Sequence, residues 1–469
     1  MTSLRSRWVL IALGIFAMAW AIARAAVQSI TIDEANSYLQ FASRHLYLWY
    51  AANNHILNSA LMYGFTRVLG LSQFTVRLPA LLGAALYIAG CYRLCRLLGA
   101  SLFGQSLVFV CLVFNPFVFD YLVAARGYGL AIGFLMWAIV YPLEQDLTAV
   151  SCAIASACAG MSVNANFSFA FVNLAAMTAI LLCAWHKPRP AGRIRLLIAC
   201  VLPGAIIFTI VSGYALSHTH SGELIYGATS LRETFGTIIE ASLFHSPLDL
   251  LGPLVFPLVA ITGAVWLVSS AANVPPLGWV AAAIFGITLA AHYVAFRTFG
   301  LLLPKDRTAI YFFALFIVFA GALAATPALT NGRRYVRAGF LASLAFMAVY
   351  FLTCLRLTYF KEWYWDADVQ QTFSLLSCLN RENNVTRVAS SWSYRGPLNF
   401  YRLARPNSIE EITDTSDAAT QIYVNDTLHD SGRANPLFKS FYRSPMTDLS
   451  LEAAVELADA YGSGRCFTK

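Results

Sequence analysis

Charge is what this chain has least of. Only 12% of its 469 residues are Asp, Glu, Lys or Arg, about half the quarter typical of a soluble domain. With 58% apolar residues and a mean hydropathy of +0.61, so little charge excludes an ordinary soluble fold and indicates a polytopic membrane protein. Intrinsic disorder needs the opposite composition and is excluded too. The ten cysteines contain no CxxC pair, so no zinc-ribbon or thioredoxin-like spacing is present. GxGxxG, a Walker loop and HExxH are also missing. No segment repeats at a period of about 20–50 residues, which argues against a solenoid. Lys and Arg never gather into a basic domain. The net charge of +8 therefore indicates cytoplasmic loops and anionic membrane lipids as partners, not nucleic acid.

What is abundant is apolar sequence of spanning length. A first run follows the basic stretch Met1–Trp8 and extends to about Val27. It resembles a signal peptide but lacks a good small-residue cleavage site, so it reads as an uncleaved span with a cytoplasmic N-terminus. Further runs occupy 77–98, 104–122, 127–143, 147–163, 167–184, 194–216, 251–270, 277–297, 309–329 and 336–358. At about 20 residues per crossing this makes about eleven transmembrane helices. The stretches Asp33–Tyr50 and Ile56–Phe74 are mixed in polarity and rich in Tyr and Trp or polar residues, so they read as two interfacial helices in the first external loop.

The positive-inside rule sets the orientation. Arg93/Arg96, the stretch from Lys187 to Arg195, and Arg333/Arg334/Arg337 fall on the cytoplasmic side when Met1 does. The 28–73 segment, the 217–250 loop, Arg297–Arg307 and the C-terminal region then face outside. From about Phe360 the sequence turns polar, and short alternating stretches such as Val385–Ser393 and Gln421–Asn425 indicate a small α/β domain. The expected architecture is an all-α membrane domain, 1–359, followed by a small extracytoplasmic α/β domain, 360–469. Only Cys378 and Cys466 lie clearly outside the apolar runs, and in an extracytoplasmic domain they are a candidate disulfide.

Polar residues that bear chemistry gather near the external ends of spans. Thr31-Ile-Asp33-Glu34 follows the first span. Its spacing is that of a capping box, yet Asp33 there is equally suited to act as a general base at the lipid–water boundary. His55 lies in the polar turn Asn53-Asn54-His55, as a structural residue or a ligand contact. Asp120 and Ala125-Arg126-Gly127-Tyr128 stand at another boundary, where an apolar setting obliges Arg126 to find an anion: Asp120 or a ligand phosphate. Lys305 and Arg307 pair two cations within three residues, which suits a phosphate or a membrane-surface anchor. His218, His220 and His245, with Glu223, Glu233 and Glu240 in the same loop, are weak grounds for a metal site.

Taken in order, these motifs resemble the polyprenyl-phosphate-sugar glycosyltransferases of the GT-C superfamily, in the branch of protein O-mannosyltransferases and the lipid A aminoarabinose transferase. The likeness rests on Thr31-Ile-Asp33-Glu34-Ala35, Asn54-His55-Ile56-Leu57, the stretch Leu71–Gly83, Ala125-Arg126-Gly127-Tyr128 and Leu303–Arg307, and it covers roughly 8–330. The chain departs from the pattern where Ile56 and Leu57 replace prolines. It departs again where Val123 and Ala124 stand in place of an acidic residue before Ala-Arg-x-Tyr, leaving Asp120 as a stand-in. The resemblance implies a GT-C-like fold in a plasma or inner membrane. It implies transfer of a sugar from a polyprenyl monophosphate donor to a hydroxyl of an extracytoplasmic glycan, lipid or protein. Asp33 would be the base, with Glu34 as helper or cap. His55, Arg126, Tyr128, Lys305, Arg307 and Asp120 would attend the donor, with no cofactor and no metal. A flippase for a lipid-linked sugar, or a non-catalytic membrane assembly partner, are the alternative expectations.

Overall fold

The computed structural model describes residues 2–46, 48–49, 51, 53–186, 192–217, 226–243, 274–327, 331–427, 438–462 and 465–467. Helices dominate. Those from the N-terminus through the membrane region are α1 (Thr2–Val27), α2 (Ile32–Ser37), α3 (Ile56–Leu69), α4 (Gln73–Leu97), α5 (Leu102–Val113), α6 (Pro116–Val123), α7 (Tyr128–Glu144), α8 (Ala149–Ala165), α9 (Ala170–Trp185), α10 (Arg193–Ser217), α11 (Leu231–Ser242), α12 (Pro276–Phe299), α13 (Ile310–Ala325) and α14 (Asn331–Thr353). Seven helices among the described residues are long and apolar enough to cross a membrane, so the chain is a multi-pass membrane protein.

These seven, or eight if one bent pair is a single span, are fewer than the about eleven expected. The run at 104–122 is broken: α5 and α6 meet at a 58° bend. The cause is local, because Asn115 accepts from the Val118 N–H and Pro116 takes the first helical position, so a new helix starts there. The runs at 127–143 and 147–163 form α7 and α8, each of 17 residues, a tight length for a crossing. The run at 251–270 lies outside the described residues. Ile56–Phe74 forms the 14-residue α3, too short to span. Among the described residues of Asp33–Tyr50, only the six-residue α2 and a five-residue π-helical continuation, Tyr38–Ala42, are helical.

The chain divides into two compact units. The first comprises Met1–Ile22, Leu48–Ala60 and Pro79–Leu355, and the second Ala23–Tyr47, Leu61–Leu78 and Arg356–Lys469. The compositional break near Phe360 lies close to the start of the second unit's last piece, but that unit also takes in Ala23–Tyr47, which includes the end of α1, and Leu61–Leu78, which includes the start of α4.

In the first unit α13 is buried along nearly its whole length, and α7 is similarly enclosed. Close approach is bought with small residues. A Cβ on Gly83 would strike the backbone of Gly129, and one on Gly204 would strike Ser156.

The second unit contains α15 (Val369–Asn383), α16 (Trp392–Ala404), α17 (Val455–Gly462) and four strands, β1 (Val388–Ser390), β2 (Ile422–Asp426), β3 (Phe438–Arg443) and β4 (Leu449–Ala454). The sheet order is β1-β2-β4-β3. β1 and β2 are parallel, and β4 runs antiparallel to both β2 and β3. β2 is buried throughout, as its apolar run requires, whereas edge strand β3 is only partly covered. The stretches expected as strands, Val385–Ser393 and Gln421–Asn425, thus hold β1 and most of β2. Cys378 on α15 is disulfide-bonded to Cys466.

Candidate active site

Two clusters hold most of the residues singled out in the sequence, one in each unit. In the second unit the capping box forms as its spacing requires. Thr31 Oγ1 accepts from the Glu34 N–H at 3.2 Å, and Glu34 Oε2 accepts from the Thr31 N–H at 2.9 Å. Glu34 also has a larger task. Both its oxygens receive the Arg77 guanidinium, Nε to Oε1 at 2.9 Å and Nη2 to Oε2 at 2.8 Å, with both side chains fully buried. Arg77 completes its donors on the carbonyls of Ala25 at 3.2 Å, Gln28 at 2.7 Å and Ser29 at 2.6 Å. The guanidinium therefore ties the end of α1 and the turn after it to the start of α2. Glu34 is the cap and counter-ion of that knot.

Further bonds hold the same turn. Tyr401 on α16 accepts from the Ile30 N–H at 2.9 Å and donates to Gln73 Oε1 at 2.6 Å. Burial pushes its phenol up to about 12, so it stays a neutral donor. Gln73 Nε2 donates to the Ala26 carbonyl at 2.6 Å, and Gln28 Nε2 to that of Tyr359 at 2.7 Å. Asp33, in the first turn of α2, is half-buried, unlike Glu34 beside it. It is the carboxylate of this cluster that keeps a path to solvent.

In the first unit, three motifs far apart in sequence converge. His55, Arg126 and Tyr128 are all buried. The His55 ring packs against Tyr128, edge-on, at 5.4 Å between centroids, and Tyr128 packs against Tyr121 at 4.9 Å. The Asn58 amide donates to the Ala125 carbonyl at 3.0 Å, which links the start of α3 to the Arg126 loop. Arg126 Nη1 reaches the Asn53 carbonyl at 3.4 Å. Gly127 between Arg126 and Tyr128 has φ +73°, and a Cβ there would meet the Ala165 carbonyl oxygen and lie 2.9 Å from the His55 Cβ. Burial, then the positive charges of Arg126 and Arg307, hold the His55 imidazole well below its usual range. That favours the neutral ring, and among the described residues its Nε2 is buried without a hydrogen-bond partner.

Arg307 reaches this cluster through a residue that sequence reading missed. Ala228 and Leu303 exchange backbone hydrogen bonds of 2.7 and 2.9 Å. That pairing sets Tyr226 beside the 305–307 turn, where it donates to Asp306 Oδ2 at 2.7 Å, and the Arg307 guanidinium lies over its ring at 5.0 Å. Lys305 is otherwise employed. It pairs with Glu233 at 2.9 Å, and this pair, with the Thr229 backbone, secures the start of α11. Asp120 is fully buried on α6.

Of the sequence-level candidates, His55, Arg126, Tyr128 and Arg307 come together, while Asp33 and Glu34 belong to the second unit's cluster. Arg77, Tyr226 and Tyr401 were given no role from sequence. Arg77 carried a usable signal, a charge inside an apolar helix. Tyr226 and Tyr401 carried none. Among the described residues no three His, Cys, Asp or Glu side chains form a group that could hold a metal ion. His218, His220, Glu223 and His245 lie outside them.

Comparison with known proteins places the fold. No protein-family profile matches the chain, and no curated protein matches it. Solved structures do. ArnT from Cupriavidus metallidurans in the apo state superposes with a TM-score of 0.53 at 12% identity, covering 96% of this chain and 98% of that one. ArnT bound to undecaprenyl phosphate gives 0.52 with the same coverage. The mycobacterial arabinofuranosyltransferase AftD gives 0.51 at 14% identity, with 96% of this chain matched to 40% of that one. The chain thus has an ArnT-like fold.

Proposed function

We propose that this protein is an inverting glycosyltransferase. It moves a sugar from a polyprenyl monophosphate donor to a hydroxyl of an extracytoplasmic glycan, lipid or protein. The observation that carries this reading is the convergence of buried His55, Arg126 and Tyr128 with partly covered Arg307 and the exposed Tyr226 into one cluster holding two arginines, within an ArnT-like fold. A solved ArnT holds undecaprenyl phosphate, which supports a polyprenyl phosphate as the carrier.

Each residue has a chemical part. Asp33 takes the proton as the acceptor O–H bond breaks. The acceptor oxygen forms its bond to the anomeric carbon, and the carbon–phosphate oxygen bond breaks in the same displacement, so the configuration inverts. The electron pair leaves with the polyprenyl phosphate, whose growing charge Arg126 and Arg307 stabilise. Neutral His55 offers Nε2 to a phosphate oxygen or an acceptor hydroxyl. Lys305 serves by holding its turn in place, and Glu34 by holding Asp33's helix. With fixed cations in this role, activity is expected to be independent of added metal. The reading assigns 1–359 to a membrane domain and 360–469 to an extracytoplasmic domain, with the N-terminus cytoplasmic. The Cys378–Cys466 bond supports that orientation, since disulfides persist in oxidising compartments.

The test is transfer or donor hydrolysis by detergent-purified protein over a panel of polyprenyl-phosphate sugars. Wild type is expected to act with or without EDTA, and Asp33→Asn to be slower by about 10²–10⁴. Asp33→Asn activity within about threefold of wild type would sink the assignment of the base.

A further inference from the structure

We propose that Asp366, a buried carboxyl group in the second unit, is a positioning residue for Asp33: it clamps the first amide of the Asp33 helix. The proposal rests on the glycosyltransferase reading for its activity arm only.

The geometry is specific. Ile32 is the first residue of α2, and its N–H has no partner within the helix. Thr31 and Glu34 satisfy each other and leave that donor over. Asp366 Oδ2 accepts it at 2.8 Å, from 334 residues further along the chain. Asp366 is 1% exposed, and among the described residues its other oxygen, Oδ1, is buried with no partner. Its own segment is braced. The Asp366 N–H donates to the Trp363 carbonyl, and the Ala367 carbonyl accepts from Ser29 Oγ at 2.7 Å. The turn before α2 is thereby gripped at Ser29, Ile30 and Ile32 by three separate points of the C-terminal region.

Electrostatics determine which form of Asp366 fits. Its titratable neighbours are Asp33 and Glu34 on α2, Asp368 two residues on, and Tyr394 on α16. Burial first, then the negative charges of Asp33, Glu34 and Asp368, push its carboxyl well above the usual range, against the Ile32 N–H bond, which lowers it. Arg77 neutralises Glu34. A second anion beside Asp33 would cost energy and would raise the affinity of Asp33 for its own proton. A neutral acid at Asp366 accepts the same hydrogen bond without that repulsion.

The experiment uses full-length protein with two readouts. Amide hydrogen exchange of the peptide containing 29–37 needs no activity. Asp366→Ala is expected to speed exchange there at least about tenfold, and Asp366→Asn, which mimics the neutral acid, to leave it at the wild-type rate. In the transfer assay, Asp366→Asn should retain activity within about threefold, whereas Asp366→Ala should lose at least about tenfold in kcat at similar donor KM. Wild type should lose activity on the alkaline side as Asp366 ionises, and Asp366→Asn should not. The Asn variant's pH profile carries the test if the Ala variant fails to fold. Exchange unchanged in Asp366→Ala, Asp366→Asn as impaired as Asp366→Ala, or the same alkaline limb in wild type and Asp366→Asn, would each overturn the proposal. If wild type itself transfers nothing, the fault lies with the function, and the exchange result still decides whether Asp366 clamps the helix.

Discussion

At the scale of single residues, the most consequential contact is Arg77 on Glu34. A guanidinium and a carboxylate, both fully buried, have given up their hydration and are compensated by each other, by three carbonyls and by the Thr31 N–H. Removing one partner strands the other. Arg77→Ala is expected to lower stability by about 3–5 kcal/mol, read as a fall in melting temperature in detergent, and Arg77→Lys to rescue only part of it, since an ammonium cannot grip both oxygens in the plane. An unchanged melting temperature for Arg77→Ala would show that the pair contributes nothing. His55 makes a second residue-scale prediction. Its pKa in the folded protein is depressed, so the unfolded chain binds the proton more readily. Its contribution to stability is complete above about pH 6.5, the ordinary histidine value, and is lost as the pH falls below it. Melting curves from pH 7.5 down to about pH 5 should therefore fall more steeply for wild type than for His55→Asn; parallel slopes would contradict a buried neutral imidazole.

At the scale of elements, helix termini do most of the positioning. α2 is only six residues long and would not persist alone. It exists because its start is capped by Thr31, Glu34 and Asp366, and its side is packed by α16, where a Cβ on Gly396 would lie 2.6 Å from Asn36 Oδ1. The break between α6 and α7 works similarly. Arg126 and Tyr128 flank Gly127, whose left-handed backbone lets the chain turn between them. Gly127→Ala is expected to cost about 1–2 kcal/mol for the conformation alone and more for the collision with Ala165 and His55. It should lower both the melting temperature and the binding of polyprenyl phosphate. Wild-type affinity and stability together in that variant would remove the argument that this turn shapes the cluster.

At the scale of the whole molecule, the disulfide joins two points 88 residues apart and so constrains most of the C-terminal region. Replacing Cys378 and Cys466 by Ser should lower the stability of that region by about 2–5 kcal/mol, measured by limited proteolysis against temperature, with wild type in reductant behaving like the double variant. Equal protease resistance of oxidised wild type and double variant would argue against it.

Much of the chain was legible in advance because membrane insertion reads composition directly. Low charge, runs of spanning length and two lone cysteines in a polar tail were enough for a multi-pass protein, for the position of most helices, for a small α/β unit and for a candidate disulfide whose bond only the structure shows. The Thr31–Glu34 box was legible because capping is local, a matter of three residues. The partners of those residues were not. Glu34 meets Arg77, Ile32 meets Asp366 and Tyr226 meets Asp306 across separations of 43, 334 and 80 residues. Periodicity and spacing carry no information at such range. Tertiary structure gave the two carboxylates of one short motif their different surroundings, burying Glu34 against an arginine and leaving Asp33 half-buried, because burial, unlike capping, depends on what the rest of the chain brings alongside.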